Sequence, residues 1–313
     1  MIVKNRETRQ SEIDSLTSLL SLNLSEQKKF MIQRELNYLK LGDRGENDSA
    51  YFLDFNYGSS KNLAVIHDLR VEFDGKVAQI DHLLINRCCD FFVLETKNFS
   101  YGLKITDEGE FLVLDKNNKY HAIESPIEQN KRHIFLLEKI IDSINILPTR
   151  VGFLQLTPKF WSYILVSPKS RIIRPSKNRF DTSMVIKGDS FTAALDKNID
   201  SRSVLSVVAS ISSLISSDTL MEVAQKIAKL HKPASADYKK KFGIGKSGTE
   251  KADYKMRRDD SSSLGEISKK YYCGKCDKPI SQKVASFCWQ NKNRFGGKAY
   301  CFDCQKLITF PTK

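Results

Sequence analysis

Apolar residues recur three and four positions apart in "SEIDSLTSLLSL" and "SEQKKFMIQRELNYLK", so residues 11–56 read mainly as helix, with Ser25 placed to cap the second segment. Gly42 and Gly45 are expected to break it, and helical spacing resumes in "ENDSAYFLDF" through Ala50, Phe52 and Leu53. The pattern then tightens. "LAVIHDLRVEF" and "KVAQIDHLLINR" flank Asp74-Gly75, a two-residue turn that predicts a hairpin. A third strand, "FFVLETK", follows Asp90, and "GEFLVL" is expected as a fourth after the Asp107–Gly109 turn. "SPIEQNKRHIFLLEKIIDSI" predicts a helix with Pro126 just inside its start and an apolar stripe of Ile127, Ile134, Leu137 and Ile141. "SYILVS" and "SMVIKG" read as strands, and residues 201–230 as a last long helix. This order predicts an α/β layer domain with a mixed sheet. Residues 231–266, rich in Lys, Ser, Gly and Asp, read as a flexible basic linker. Its "GIGKSG" lacks both the spacing and the preceding strand of a phosphate-binding loop.

Composition adds little to that picture, but the distribution of charge adds a good deal. No apolar run approaches the roughly 18 residues of a membrane span. The first residues, "MIVKNRETRQSEIDSL", lack a secretory h-region, so a cytoplasmic location with no membrane partner is expected. In that setting the seven cysteines read as thiols or metal ligands rather than disulfides. The net charge of +13 is concentrated at one end: residues 231–313 hold 19 Lys and Arg against 8 Asp and Glu, whereas residues 1–230 hold 31 against 29. A polyanion is therefore the expected partner of the tail.

In that tail, Cys273-x2-Cys276 and Cys301-x2-Cys304 form two knuckles 24 residues apart. Each pair can present two thiolates to one ion, and together they complete a tetrahedral four-sulfur site, for which zinc is the expected metal and iron the competitor. Neither a neighbouring His nor a carboxylate offers an open coordination position, so the zinc is read as structural. Cys288 reads as a small buried residue beside Phe287 and Trp289, and Cys88 and Cys89 carry no assigned chemistry. Lys275, Lys278, Lys283, Lys292, Arg294 and Lys298 interleave with Tyr271, Tyr272, Trp289, Phe295 and Tyr300. Cations that track phosphates among aromatics that stack on bases favour nucleic acid over protein as the partner.

The front of the chain carries acids where a core strand should be apolar. In "FFVLETKNFS", strand alternation points Val93, Glu95 and Lys97 to one face. Asp81 interrupts "QIDHLLI", and antiparallel pairing of the two strands makes Asp81 and Glu95 neighbours. Two adjacent carboxylates repel, and a divalent cation between them removes the conflict. Lys97 beside them can polarise water or stabilise charge on a phosphate. A salt bridge from Lys97 to either acid, with no chemistry, is the competing reading. Alternation turns His82 to the opposite face, where it reads as structural; His133, one turn beyond Gln129, reads as a possible substrate contact.

From Leu41 to about Gln129, the ordered series "GDRGE", "VIHDLRVEFDG", "QIDHLLI", "FFVLETKNF" and "PIEQNKRH" resembles the nuclease-related (NERD) domain, a branch of the PD-(D/E)xK restriction-endonuclease-like superfamily. The paired knuckles are similar to a topoisomerase-type zinc ribbon, which such proteins also carry at the C-terminus. The resemblance implies an α/β fold, a restriction-endonuclease-like mixed sheet flanked by helices, plus a small C-terminal zinc ribbon. It implies that Asp81 and Glu95 bind Mg²⁺ or Mn²⁺, that Lys97 activates or orients water, that Glu46 adds a further carboxylate, and that Gln129 holds the site or the substrate backbone. Ile80-Asp81 stands where the superfamily has Pro-Asp, and "NRCCDFF" replaces a glycine often found before the third strand. The expected organisation is a helical segment over 1–40, the nuclease-like domain over 41–230, the linker over 231–266 and the ribbon over 267–313. The expected activity is metal-dependent hydrolysis of phosphodiesters, with DNA favoured over RNA. The alternative is a non-catalytic nucleic-acid-binding or adaptor protein on a degenerate nuclease scaffold.

Overall fold

The computed structural model describes the chain apart from residues 149, 152–153, 156–157, 177–178, 201–213, 235, 246–270, 277, 281 and 307–313. It divides into two compact units, Met1–Ser262 and Ser263–Lys313.

The first unit is built on a six-stranded mixed sheet. Its strands are β1 (Ile2–Lys4), β2 (Leu63–Phe73), β3 (Lys76–Asn86), β4 (Phe91–Lys97), β10 (Phe160–Val166) and β12 (Val185–Lys187), neighbours in that order. The β2–β4 meander is antiparallel, and the flanking pairs β1·β2, β4·β10 and β10·β12 are parallel. Asp74 and Gly75 both adopt left-handed φ, 49° and 70°, which matches a two-residue hairpin turn to the twist of its strands. A second sheet, β11 (Ile172–Ile173), β5 (Leu103–Ile105), β6 (Phe111–Leu114) and β7 (Tyr120–Ile123), packs on the same unit. A separate antiparallel pair, β8 (Arg150–Val151) and β9 (Leu154–Gln155), precedes β10. "GEFLVL" is therefore a strand, as expected, but it belongs to the second sheet. The three-residue strands β1 and β5 are too short for alternation to mark them.

Helices cover both faces of the larger sheet. On one face α3 (Pro126–Ile144) and α5 (Ser217–Ala228) bury Leu137, Ile141, Leu220 and Ile227 against Ile66, Ile80, Leu83 and Val93. On the other, α2 (Glu26–Tyr57) and α4 (Phe191–Asp200) pack Leu53 and Phe191 against Val65, Leu84, Phe92 and Leu94. Sheets buried on both faces read as continuous apolar runs, which explains "LAVI" and "FFVL". The start of α3 is the one foreseen: Pro126 occupies its first turn and Ser125 Oγ accepts the Glu128 N–H at 3.3 Å.

Two expectations need correction. Helix α2 runs unbroken through Gly42 and Gly45, which were expected to break it. An interior glycine costs only about 1 kcal/mol relative to alanine, which packing readily offsets. Gly45 is needed for that packing, because a Cβ there would lie 2.8 Å from Asn98 Cβ. The stretch after residue 230 is not all linker. A short helix α6 (Tyr238–Lys241) and the turn after it bury Tyr238, Phe242 and Ile244 among Leu16 and Leu19 of α1 (Gln10–Leu20) and Ile32 and Leu36 of α2. Residues 246–266 of the expected linker lie outside the described residues. Of the helix expected over 201–230, residues 201–213 likewise lie outside them, and the described part is α5.

In the second unit, a hairpin of β13 (Tyr271–Tyr272) and β14 (Pro279–Ile280) presents the first knuckle. Helices α7 (Gln282–Gln290), α8 (Lys292–Phe295) and α9 (Phe302–Lys306) follow. Its small core holds Ala285, Cys288, Phe295 and Ala299, while Tyr272, Phe287, Trp289 and Phe302 stay exposed.

Candidate active site

The site forms where the central ladder opens. Strands β3 and β4 pair from Ile85–Phe91 to His82–Leu94, and the next step of that register sets Asp81 opposite Glu95. Backbone pairing stops there because Asp81 Oδ2 accepts the Thr96 N–H at 2.7 Å, substituting a side chain for a ladder carbonyl. On the other side of β3 the register sets Asp81 opposite Asp68, whose φ of 50° interrupts β2 at the same level. Ile80 and Leu83 consequently share one core face across the irregularity, which strict alternation would forbid.

Around this opening the structure gathers Asp81, Glu95, Lys97 and Gln129. Lys97 Nζ donates to Glu95 Oε1 at 2.7 Å and to Gln129 Oε1 at 3.1 Å. Gln129 is delivered by α3, which the buried Asn130 pins to the sheet through Nδ2 contacts to Val93 O at 2.8 Å and Ser162 Oγ at 2.9 Å. Asn130 was not singled out in the sequence: an amide on a helix facing an apolar sheet has no pattern of its own. His133, one turn on, stands with Nδ1 3.6 Å from Glu95 Oε2, and neither atom has a hydrogen-bond partner.

The electrostatics are those of charge crowded into a dry place. Burial, then the carboxylates of Glu95 and Glu46, pushes Asp81 well above the usual carboxylate range. Burial also raises Glu95, against the pull of Lys97. For Lys97, burial is outweighed by Glu95 and the other acids, so its pKa rises and the ammonium persists. Burial and Lys97 lower His133 to about 4, which leaves it neutral near pH 7. A 3%-exposed carboxylate with one oxygen unsatisfied is costly unless something positive faces that oxygen, so Asp81 and Glu95 fit a divalent cation.

Glu46 departs from expectation. On α2 it is close enough to raise Asp81 and Glu95, yet its Oε2 is held by Arg6 at 3.2 Å and Arg9 at 3.6 Å. Among the described residues the four cysteines form a group of three or more potential metal ligands, and the three carboxylates do not form a second. The two arginines escaped sequence reasoning, because only the return of the N-terminal segment to the sheet edge brings them near.

His82 lies on the opposite face, as alternation implied. It is fully buried, with Nδ1 2.7 Å from His67 Nδ1, and His67 Nε2 meets Asp54 Oδ1 of α2 at 2.9 Å. Burial lowers the His82 pKa well below its usual value, so His82 is a neutral packing group where the sheet meets the helix.

A family model described as the nuclease-related domain matches residues 41–201, just over half of the chain. The chain belongs to the NERD family. Comparison with curated proteins and with solved structures returned no match. The NERD match spans α2 from Leu41 through β12 into α4, and so contains Glu46, Asp81, Glu95, Lys97 and Gln129. Among the described residues, no helix is long and apolar enough to cross a membrane.

The second unit places Cys273, Cys276, Cys301 and Cys304 together, with the sulfurs of Cys276 and Cys301 3.6 Å apart. Four thiols at such distances fit one tetrahedral zinc. Cys288 is outside that group and buried; its sulfur accepts the Tyr300 N–H at 3.4 Å and Gln305 Nε2 at 3.3 Å. Lys275, Lys292 and Lys298 are exposed. Arg294 is half-buried, donating to Gln305 O at 3.0 Å, and the side chain of Lys283 lies outside the described residues.

Proposed function

We propose that this NERD protein is a metal-dependent nuclease that hydrolyses phosphodiester bonds, with DNA as the favoured substrate, and that its four-cysteine unit is a zinc ribbon binding nucleic acid. The supporting observation is the buried Glu95 oxygen without a partner, beside Asp81 and within reach of a protonated Lys97. A divalent cation bound there would neutralise phosphate charge and make water more acidic. Asp81 and Glu95 would hold it as carboxylates, and their raised pKa values make protons compete with the cation.

Lys97 stays protonated and therefore donates rather than accepts: it positions water or stabilises negative charge on the phosphate. Gln129 fixes the Lys97 ammonium through its carbonyl. Neutral His133 offers an acceptor nitrogen beside Glu95 and can orient a water that approaches the phosphate. The ribbon raises the local concentration of nucleic acid near these groups.

The test is incubation of the purified chain with plasmid, single-stranded DNA and RNA under Mg²⁺, Mn²⁺ or EDTA. Cleavage should require the cation, and Glu95→Ala, Asp81→Ala or Lys97→Met should reduce it by about 10²-fold or more while binding persists. Cation-independent cleavage, or full activity in Asp81→Ala, would refute the assignment. Binding without any cleavage by the wild type would instead support the adaptor reading.

A further inference from the structure

Beside the acidic site a cavity of about 590 Å³ lies between the tip of the β2–β3 hairpin and the outer face of α3. Its walls include Lys76, Gln129, Lys131, Arg132, His133 and Phe135. Gln129 and His133 also face Lys97 and Glu95, so the cavity shares two of its wall residues with the candidate active site. Its volume is that of an ordinary small-ligand site.

Phe135 is 51% exposed on a helix whose other apolar residues are mostly buried. Lys76 Nζ lies over its ring at 5.9 Å from the centroid and Lys139 Nζ at 5.8 Å, so the exposed ring is covered only by two ammonium groups on flexible stems that a base can displace. Lys131 and Arg132 add two more. Their partners are Glu128 at 2.8 Å and Glu124 at 3.6 Å, pairs so exposed that a phosphate can displace them. An exposed ring among cations, beside a phosphodiester-cleaving site, has the chemistry of a base-stacking platform with phosphate contacts on either side.

We infer that this groove receives an unpaired nucleotide of a single-stranded polynucleotide, with its base on Phe135 and neighbouring phosphates on Lys76, Lys131, Arg132 and Lys139. The inference rests on the nuclease reading and deepens it by naming the strand state of the substrate. Within a duplex both base faces are already stacked, so a paired strand could meet the cations but not the ring. The substrate would then be a single strand, or the frayed end or flap of a duplex.

The test uses full-length Glu95→Gln protein and oligonucleotides carrying 2-aminopurine, as single-stranded DNA, single-stranded RNA and duplex DNA. Anisotropy reports affinity and 2-aminopurine quenching reports stacking. Phe135→Ala should weaken single-strand affinity roughly tenfold and remove much of the quenching, while duplex affinity changes by less than about twofold. Phe135→Trp should retain both. The DNA and RNA arms decide which sugar is taken. Equal binding and quenching in Phe135→Ala and its parent, with an unchanged circular dichroism spectrum, would overturn the inference; so would equal losses for single strands and duplex. Phe135-dependent quenching without cleavage by the wild type would keep the groove and remove the nuclease. Wild-type cleavage with no Phe135 dependence would do the reverse.

Discussion

At the scale of residues, the site is a store of unfavourable charge. Asp81 has its pKa raised above the unfolded value, so the folded state holds the proton more tightly. The stability this confers is present below the ordinary carboxylate pKa and is lost as pH rises through the folded value. At neutral pH the ionised carboxylate works against folding, by about 1.4 kcal/mol for every tenfold gain in proton affinity. Asp81→Asn keeps an acceptor for Thr96 N–H and removes the charge. In EDTA at neutral pH its Tm should therefore exceed that of the wild type, by about 2–4 °C per kcal/mol recovered. Added Mg²⁺ or Mn²⁺ should raise the wild-type Tm and leave that of the variant unmoved. Since protons compete with the cation for Asp81 and Glu95, the cation-induced rise should also grow with pH. A lower Tm for Asp81→Asn in EDTA would show that the carboxylate is not the burden described.

Among elements, the decisive contact is between α2 and the turn after β4. Asn98 Nδ2 donates to Leu41 O at 2.9 Å, and its side chain occupies the space a Cβ on Gly45 would take. This contact brings Glu46, the next residue, up to the opening between β3 and β4. Gly42, three residues earlier, has nothing closer than 4.0 Å to such an atom. Gly42→Ala should thus stabilise the protein by about 0.5–1 kcal/mol through helix propensity. Gly45→Ala should destabilise it by about 1–3 kcal/mol despite the same gain, because the clash is with a Cβ that cannot swing aside. Urea unfolding of the two variants reads this directly. Equal effects would mean that the α2 contact yields easily and does not position Glu46.

For the molecule as a whole, charge and metal divide the labour between two units. The second unit buries few residues, so the metal should supply most of its folding free energy. Native mass spectrometry should find one zinc per chain, lost in Cys273→Ser or Cys301→Ser, with collapse of this unit's dichroism and little change in the first unit. Deleting residues 267–313 should weaken nucleic-acid binding and flatten its salt dependence, by roughly 0.9 in the logarithmic slope for each duplex phosphate no longer neutralised. An unchanged slope would place the cations that meet phosphate elsewhere in the chain.

The order of apolar runs and their turn residues determined the hairpin at Asp74-Gly75, strand β4 and helix α3, and Cys-x2-Cys spacing determined each knuckle, because each depends on neighbours close in the chain. Alternation within β4 was enough to put Glu95 and Lys97 together, and pairing with β3 to bring in Asp81. The pattern could not carry what distant segments do to one another. The passage of α2 through Gly45, the docking of Tyr238 and Phe242 on α1 and α2, and the hold of Arg6 and Arg9 on Glu46 are all contacts of that kind. Local preference sets which elements form, since it acts over a turn or a strand's width. Only the packed whole decides which charges share a dry pocket, since burial and Coulomb forces act through space and ignore position in the chain.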